Sequence, residues 1–419
     1  MSDRPQVPSL GRSIVTLVTG SMAAQLITLA LTPVLSRMYG PNQFGEYAIF
    51  VSVSTLVAIL GTVRYEMAIV LPRSPREAAG ITRLTVRLLT TVAGTLVVIG
   101  GVIALLPTSL PADVGVFALL VGPAVFLLGY TSIMNQWFTR SRRYSLLSRN
   151  RVLQSGASAA AQIGMGFLMP HTGIGLVLGL IIGQAAAAVF LTVADGAGRQ
   201  VLTGAAVGGR RWGHLLRKYW RLPVLLTPHT LVDSFRLNGV NLLIGHFSLE
   251  AVGQYSQAWR LVQLPAALVG SAISQVYFPR LAAASRAELF PIVRSSVLRS
   301  TVLGVAPFAV IMWLSPALFP LVLGAEWSEA GLFAQALVPA LFLNLVASPI
   351  STVFIVLKKE HFGLIFSLAY TCLSLGTLFV FREDLLRAIW SMGLVQAASL
   401  AGYVALALVL AKHAGKGQQ

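Results

Sequence analysis

The chain has 419 residues, of which 56% are apolar and only 11% charged. Soluble proteins run near 25% charged, so this balance, with a mean hydropathy of +0.77, excludes a soluble enzyme and points to repeated burial in lipid. The 31 Lys and Arg against 14 acids would suggest a nucleic-acid binder in a soluble chain, but cytoplasmic loops of membrane proteins collect the same residues, and no nucleic-acid partner is expected.

A membrane helix needs roughly 20 mostly apolar residues. In chain order, such stretches predict twelve spans, at 14–35, 43–63, 84–106, 114–134, 151–169, 174–194, 222–244, 251–273, 291–313, 332–356, 363–381 and 388–411. The polar start "MSDRPQVPSLGR" leads into a full-length first span, which reads as a retained helix and not a cleaved signal. The expected fold is therefore all-α and polytopic, with twelve transmembrane helices. Residues 1–200 form an N-terminal lobe, 201–221 a cytoplasmic linker and 222–419 a C-terminal lobe. The connection 195–221, "DGAGRQVLTGAAVGGRRWGHLLRKYWR", has a Gly-rich start and a basic end.

On this map the basic residues alternate in density from side to side. Arg37, Arg382 and Arg387 fall on one face, Arg236 and Arg260 fall inside spans, and every other Lys and Arg falls on the opposite face. The positive-inside rule then places both termini in the cytoplasm. An internal repeat is also visible: "NQFGEYAIF" at 42–50 resembles "EAVGQYSQA" at 250–258, matching at Gly45/Gly253 and Tyr47/Tyr255. With six spans per half, the lobes would be parallel repeats.

Catalytic signatures are absent: there is no phosphate-binding Gly-rich loop with Lys, no His-Glu-x-x-His and no cysteine pair, Cys372 being alone. No enzyme activity and no cofactor is expected. The candidate site is instead intramembrane, because a charge at mid-bilayer costs ~2.5–3.5 kcal/mol and usually faces a partner or a water-filled cavity. The segment "PHTLVDSFRLNGVNLLIGHF" at 228–247 carries Asp233, Arg236, Asn238 and Asn241. A rise of 1.5 Å per residue puts Arg236 about 21 Å from the cytoplasmic start of its span, and Arg260 about 14 Å from the opposite side in the next, so both sit at one depth. His229, Asp233 and Arg236 share one helical stripe, and Gln257, Arg260 and Gln263 another. The repeat offset maps Asp233 onto Gln25 in the first span. Two arginines against one acid favour an anionic ligand; the structural alternative is an ion pair that only fixes helix packing. Arg64 and Glu66, at the cytoplasmic mouth of the second span, read as site residues or as interfacial anchors, and Arg37, at the outer end of the first, reads as an interfacial anchor before a site residue.

"LTPVLSRMYGPNQFGEYAIF", "VRYEMAIVLP" and "AVGQYSQAWRLVQLPAALVGSAISQVYFPRLA" resemble the Wzx-type polysaccharide and O-antigen flippases of the multidrug/oligosaccharidyl-lipid/polysaccharide exporter superfamily. The resemblance implies two six-helix lobes around a central cationic cavity, alternating access, and an undecaprenyl-pyrophosphate-linked oligosaccharide carried across the bacterial inner membrane for surface polysaccharide synthesis. It implies that Arg236 and Arg260 hold the pyrophosphate, that Asp233 balances their charge, and that Asn238, Asn241, Gln257 and Gln25 meet sugar hydroxyls. Arg64 would receive the headgroup. A polysaccharide polymerase and a chain-length regulator are the implied partners beside membrane lipid. The coupling ion, H+ or Na+, stays open. A cation-coupled drug antiporter using Asp233 and a non-transporting scaffold for glycan assembly are the alternatives.

Overall fold

The computed structural model describes residues 10–105, 112–193, 209–284, 288–357 and 359–416. All of its regular structure is helical among these residues. In chain order the helices are α1 (Leu10–Met38), α2 (Pro41–Thr62), a 3-10 segment at Tyr65–Val70, α3 (Pro75–Leu105), α4 (Ala112–Arg140), α5 (Tyr144–Leu168), α6 (Ile174–Val193), α7 (Gly209–Lys218) and α8 (Arg221–Phe247). There follow α9 (Leu249–Ala283), α10 (Leu289–Leu323), α11 (Ser328–Ala347), α12 (Thr352–Val356), α13 (Glu360–Val380) and α14 (Leu385–Lys416). Two compact units emerge, Met1–Asn238 and Gly239–Gln419, the division falling within α8.

The expectation of twelve spans in two six-helix lobes is overturned. Among the described residues, 8 helices are long and apolar enough to cross a membrane: α1 to α4, α6, α10, α11 and α14. The predicted spans at 151–169, 222–244, 251–273 and 363–381 account for the difference. Three of them fall in helices interrupted by polar groups: Arg149, Arg151 and Gln154 in α5; His229, Asp233 and Arg236 in α8; Gln254, Gln257 and Arg260 in α9. In α13 the apolar run, Ile365–Val380, is short. Counting apolar windows gave these four segments the same weight as uninterrupted ones. The chain is a multi-pass, all-α membrane protein.

Lipid tails are as apolar as leucine, so close backbone approach, more than hydrophobic burial, holds such helices together. In the first unit α3 and α4 meet at Gly100, where an added Cβ would lie 2.4 Å from the Ala118 carbonyl oxygen. In the second, a Cβ on Gly393 of α14 would lie 2.2 Å from the Ala336 carbonyl oxygen of α11. Larger side chains then fill the remaining space. Leu84, Leu89, Val125, Ile133, Met134 and Phe138 form one buried cluster in the first unit. In the second, Val293, Val346, Ile350, Phe354 and Val404 form another. Thr82 and Thr85, inside a span, satisfy their hydroxyls locally by donating to the carbonyls of Ala78 and Ile81. Val98, Leu105, Phe167, Trp313 and Leu321 stand largely exposed, as expected of faces turned to lipid.

The two repeated segments do similar work in their separate units. Glu46, beside the matched Gly45 and Tyr47, accepts a bond of 3.1 Å from the Gly173 amide at the start of α6. Gln254, at the same register of the second repeat, accepts from the Ala330 amide of α11 at 2.9 Å and donates to the Glu326 carbonyl at 2.6 Å. Each caps orphan groups at the N-terminus of another helix. Gln254→Leu will strand the Ala330 amide, which is fully buried, at a cost of about 1–3 kcal/mol. Thermal unfolding in detergent reads this as a lower midpoint, whereas Gln254→Glu, which keeps the acceptor, should lose less.

The basic connection contains a helix. α7 docks on the first unit through Leu215, which is buried, and through a set of polar contacts. Lys218 and the Tyr219 hydroxyl both reach Glu77 Oε1, at 2.5 and 3.2 Å, and Tyr65 donates to the Leu216 carbonyl at 3.3 Å. The Arg87 guanidinium lies 3.9 Å from the Trp212 ring centre. The Glu77 carboxylate holds the Lys218 ammonium above its ordinary pKa. Residues 194–208, the Gly-rich start of the expected linker, lie outside the described residues.

Candidate functional site

α8 carries its polar residues over the last two-thirds of its length. Asp233 Oδ2 lies 3.5 Å from His229 Nδ1, one turn earlier, with the two side chains 40% and 63% exposed. That distance is too long for a strong hydrogen bond, and its charge component depends on a protonated imidazole. Asn238 donates to the Ser234 carbonyl at 3.0 Å and to the Ser234 hydroxyl at 3.1 Å. Its amide nitrogen is thus committed to its own helix. Arg236 is half-buried, as is Asn241.

In the second unit, α9 places Arg260 half-buried and Gln263 exposed. Gln257 is 1% exposed, and neither its amide nitrogen nor its oxygen has a hydrogen-bond partner among the described residues. A buried amide left open costs about 1–3 kcal/mol. Gln254, not among the expected site residues, is instead a capping side chain. Only its register with Glu46 in the repeat could have indicated this.

In the first unit, Gln25 on α1 and Arg37 near its end are both exposed. Arg64 and Glu66 are brought together. α2 stops at Thr62 because Val63 and Arg64 both take left-handed backbone conformations, with φ of 47° and 56°. This costs roughly 1–2 kcal/mol per residue, and for a β-branched valine it is a true outlier. The reversal turns the chain into the 3-10 segment and seats Arg64 Nη1 2.9 Å from Glu66 Oε1. The Glu66 side chain is 1% exposed and that of Arg64 19%. Arg64 Nε and Glu66 Oε2 have no hydrogen-bond partner among the described residues.

Both residues line a cavity of about 180 Å³ between α2, the 3-10 segment and α4. Thr55, Thr62 and Ser132 contribute hydroxyls to its wall, and Ala58, Ile59, Leu128 and Gly129 the apolar part. Sequence reasoning found the two charges but missed the hydroxyls. Ser and Thr in a membrane helix ordinarily bond back to their own backbone, so nothing in the sequence singles these out.

Among the described residues, no group of three or more His, Cys, Asp and Glu is placed to hold a metal ion. The arrangement offers hydrogen-bond donors, acceptors and fixed charge within helices, the means of binding and moving a polar solute.

Solved structures share this fold. The chain resembles the lipid II flippase MurJ in an inward closed conformation, with a TM-score of 0.72 and 11% identity over 94% of this chain and 87% of that one. It resembles the inward-facing conformation of a multidrug resistance MATE family transporter of the MOP superfamily, with a TM-score of 0.68 and 16% identity over 96% and 99%. A MATE structure in complex with MaL6 matches with a TM-score of 0.61 and 16% identity over 96% and 97%. At such identities these likenesses establish the fold alone, one shared with the lipid II flippase and MATE transporter structures. No curated protein matches the sequence. A family model described as "Polysaccharide biosynthesis protein" does match, over residues 34–331, and the chain belongs to that family.

Proposed function

We propose that the protein is a flippase that carries an undecaprenyl-pyrophosphate-linked oligosaccharide across the bacterial inner membrane by alternating access, in the synthesis of a cell-surface polysaccharide. The observation that carries this reading is the family match, whose description is polysaccharide biosynthesis and which covers most of the chain. The fold shared with a lipid II flippase supports it, as does the surplus of arginine over acid in the polar segments of α8 and α9. On this reading Arg236 and Arg260 bind the pyrophosphate through charge-assisted hydrogen bonds, and Asp233 offsets their charge when no substrate is bound. Asn241, Asn238, Gln257 and Gln25 serve the sugars. Arg37 and Arg64 belong to the path of the headgroup. A polymerase and a chain-length regulator are the partner proteins this role implies.

A second reading has its own observation. The fold is also shared with multidrug transporters, and α8 holds a carboxylate, Asp233, of the kind a cation antiporter needs. Export of lipid-linked glycan from vesicles, measured beside drug efflux, separates the two.

We also propose that both termini and the basic stretch 195–221 face the cytoplasm, since cytoplasmic segments collect Lys and Arg. With Cys372 replaced by serine, a cysteine introduced at Ala206 should resist an impermeant thiol reagent added to intact cells and react once the cells are opened. Labelling from outside would reverse the orientation.

A further inference from the structure

We infer that the cavity between α2 and α4 is a binding site for one neutral, hydroxylated sugar ring, with Arg64 and Glu66 acting as a paired donor and acceptor and not as an anion clamp. The inference rests on the proposed glycan substrate for its ligand class and reassigns Arg64 within it.

The charges decide against an anion. Arg64 is held 2.9 Å from Glu66, so its positive charge is already balanced by a carboxylate that is almost fully buried. A phosphate entering beside Glu66 would meet like charge at close range, and breaking the pair would strand a buried carboxylate. A metal cation meets the reverse objection from the guanidinium. What the neutral pair leaves open is one buried donor, Arg64 Nε, and one buried acceptor, Glu66 Oε2. A sugar hydroxyl both donates and accepts, so neighbouring hydroxyls on one ring satisfy the two together.

The walls fit the same ligand. Thr55 and Ser132 add hydroxyls, while Ala58 and Leu128 supply an apolar surface for the C–H face of a ring. Sites of mixed apolar lining with a few convergent polar groups are the usual form of small-molecule pockets. The volume of about 180 Å³ corresponds to about six waters at ~30 Å³ each, comparable with a single hexose. The two left-handed residues at Val63 and Arg64 give the pair its position, and strained backbone of this kind clusters at ligand sites.

The test uses the full-length protein in lipid nanodiscs with Cys372→Ser and Ile59→Cys, which places a single thiol in the cavity wall at a side chain that gives the ligand no polar contact. Its alkylation rate is measured with free glucose, galactose, mannose or N-acetylglucosamine, and separately with inorganic pyrophosphate. At least one neutral sugar should slow the reaction about fivefold at a concentration about four times its Kd, and pyrophosphate should not. Glu66→Gln and Thr55→Val should each remove that protection. Should Glu66→Gln fail to fold, Thr55→Val, which keeps the shape of the wall, carries the test alone. Protection by pyrophosphate without protection by any sugar makes this an anion site and overturns the inference; protection by nothing makes it a water-filled cavity and overturns it too. No lipid-linked substrate enters the measurement. Failure of the flippase reading, seen as no binding of undecaprenyl pyrophosphate by the unaltered protein, is therefore a separate result.

Discussion

Arg236→Ala and Arg260→Ala will each weaken binding of undecaprenyl pyrophosphate by about ten- to a hundredfold and abolish glycan export while the protein still inserts and folds. The magnitude follows from the ~1.5–3 kcal/mol carried by a hydrogen bond to a charged group, at 1.4 kcal/mol per factor of ten. Both residues are half-buried in helices rather than packed in a core, so truncation should leave no large void. Lysine at either position should restore part of the affinity, because it keeps the charge but loses the bidentate fork. Binding of fluorescent undecaprenyl pyrophosphate in nanodiscs and surface glycan in cells are the two measurements. Normal surface glycan in the double alanine variant would remove both arginines from the substrate path.

Asp233→Asn should have the opposite effect on binding and a similar effect on transport. Removing one negative charge several ångströms from the bound anion strengthens its binding by on the order of 1–2 kcal/mol at an effective dielectric near 20, about five- to thirtyfold. Tight binding to one conformation opposes a cycle that must release its load, so export slows as affinity rises. The antiporter reading forecasts a different pattern: anion affinity unchanged and transport uncoupled from the ion gradient. A purely structural pair forecasts a third, loss of folded protein. Here the structure already weighs in. Asp233 meets His229 at 3.5 Å with both side chains substantially exposed, and open pairs of that kind contribute only about 0–1 kcal/mol. The asparagine variant should therefore be recovered folded. Unchanged affinity in that folded protein would count against the charge-balancing role.

Some of this was legible in the sequence and some was not. The membrane class and the all-helical build follow from composition, because a chain with this little charge and repeated apolar runs has no other way to satisfy its backbone in lipid. Eight of the predicted spans overlap helices long and apolar enough to cross a membrane, with ends that differ by up to about 10 residues. The polar residues of α8 and α9 stood out because charge within an apolar run is costly wherever it faces. The repeat at Gly45-Glu46-Tyr47 and Gly253-Gln254-Tyr255 was also visible as letters.

Only the tertiary structure decided what those letters do. Glu46 and Gln254 cap helices that begin over 70 residues further along the chain, and no local pattern encodes a partner at that distance. The count of spans failed at α13, whose apolar run is short, and at three segments interrupted by charged and amide side chains, since a hydropathy window sums residues and does not ask whether a polar side chain has company. Arg64 and Glu66 are two residues apart, a spacing that on a helix would point them to different faces. Two left-handed residues break the helix and bring them into one ion pair. Neither of the two left-handed residues is a glycine that would announce the reversal. The hydroxyls that complete the cavity come from Thr55 and Thr62 on α2 and Ser132 on α4, roughly 70 residues apart in the chain and brought together only by packing.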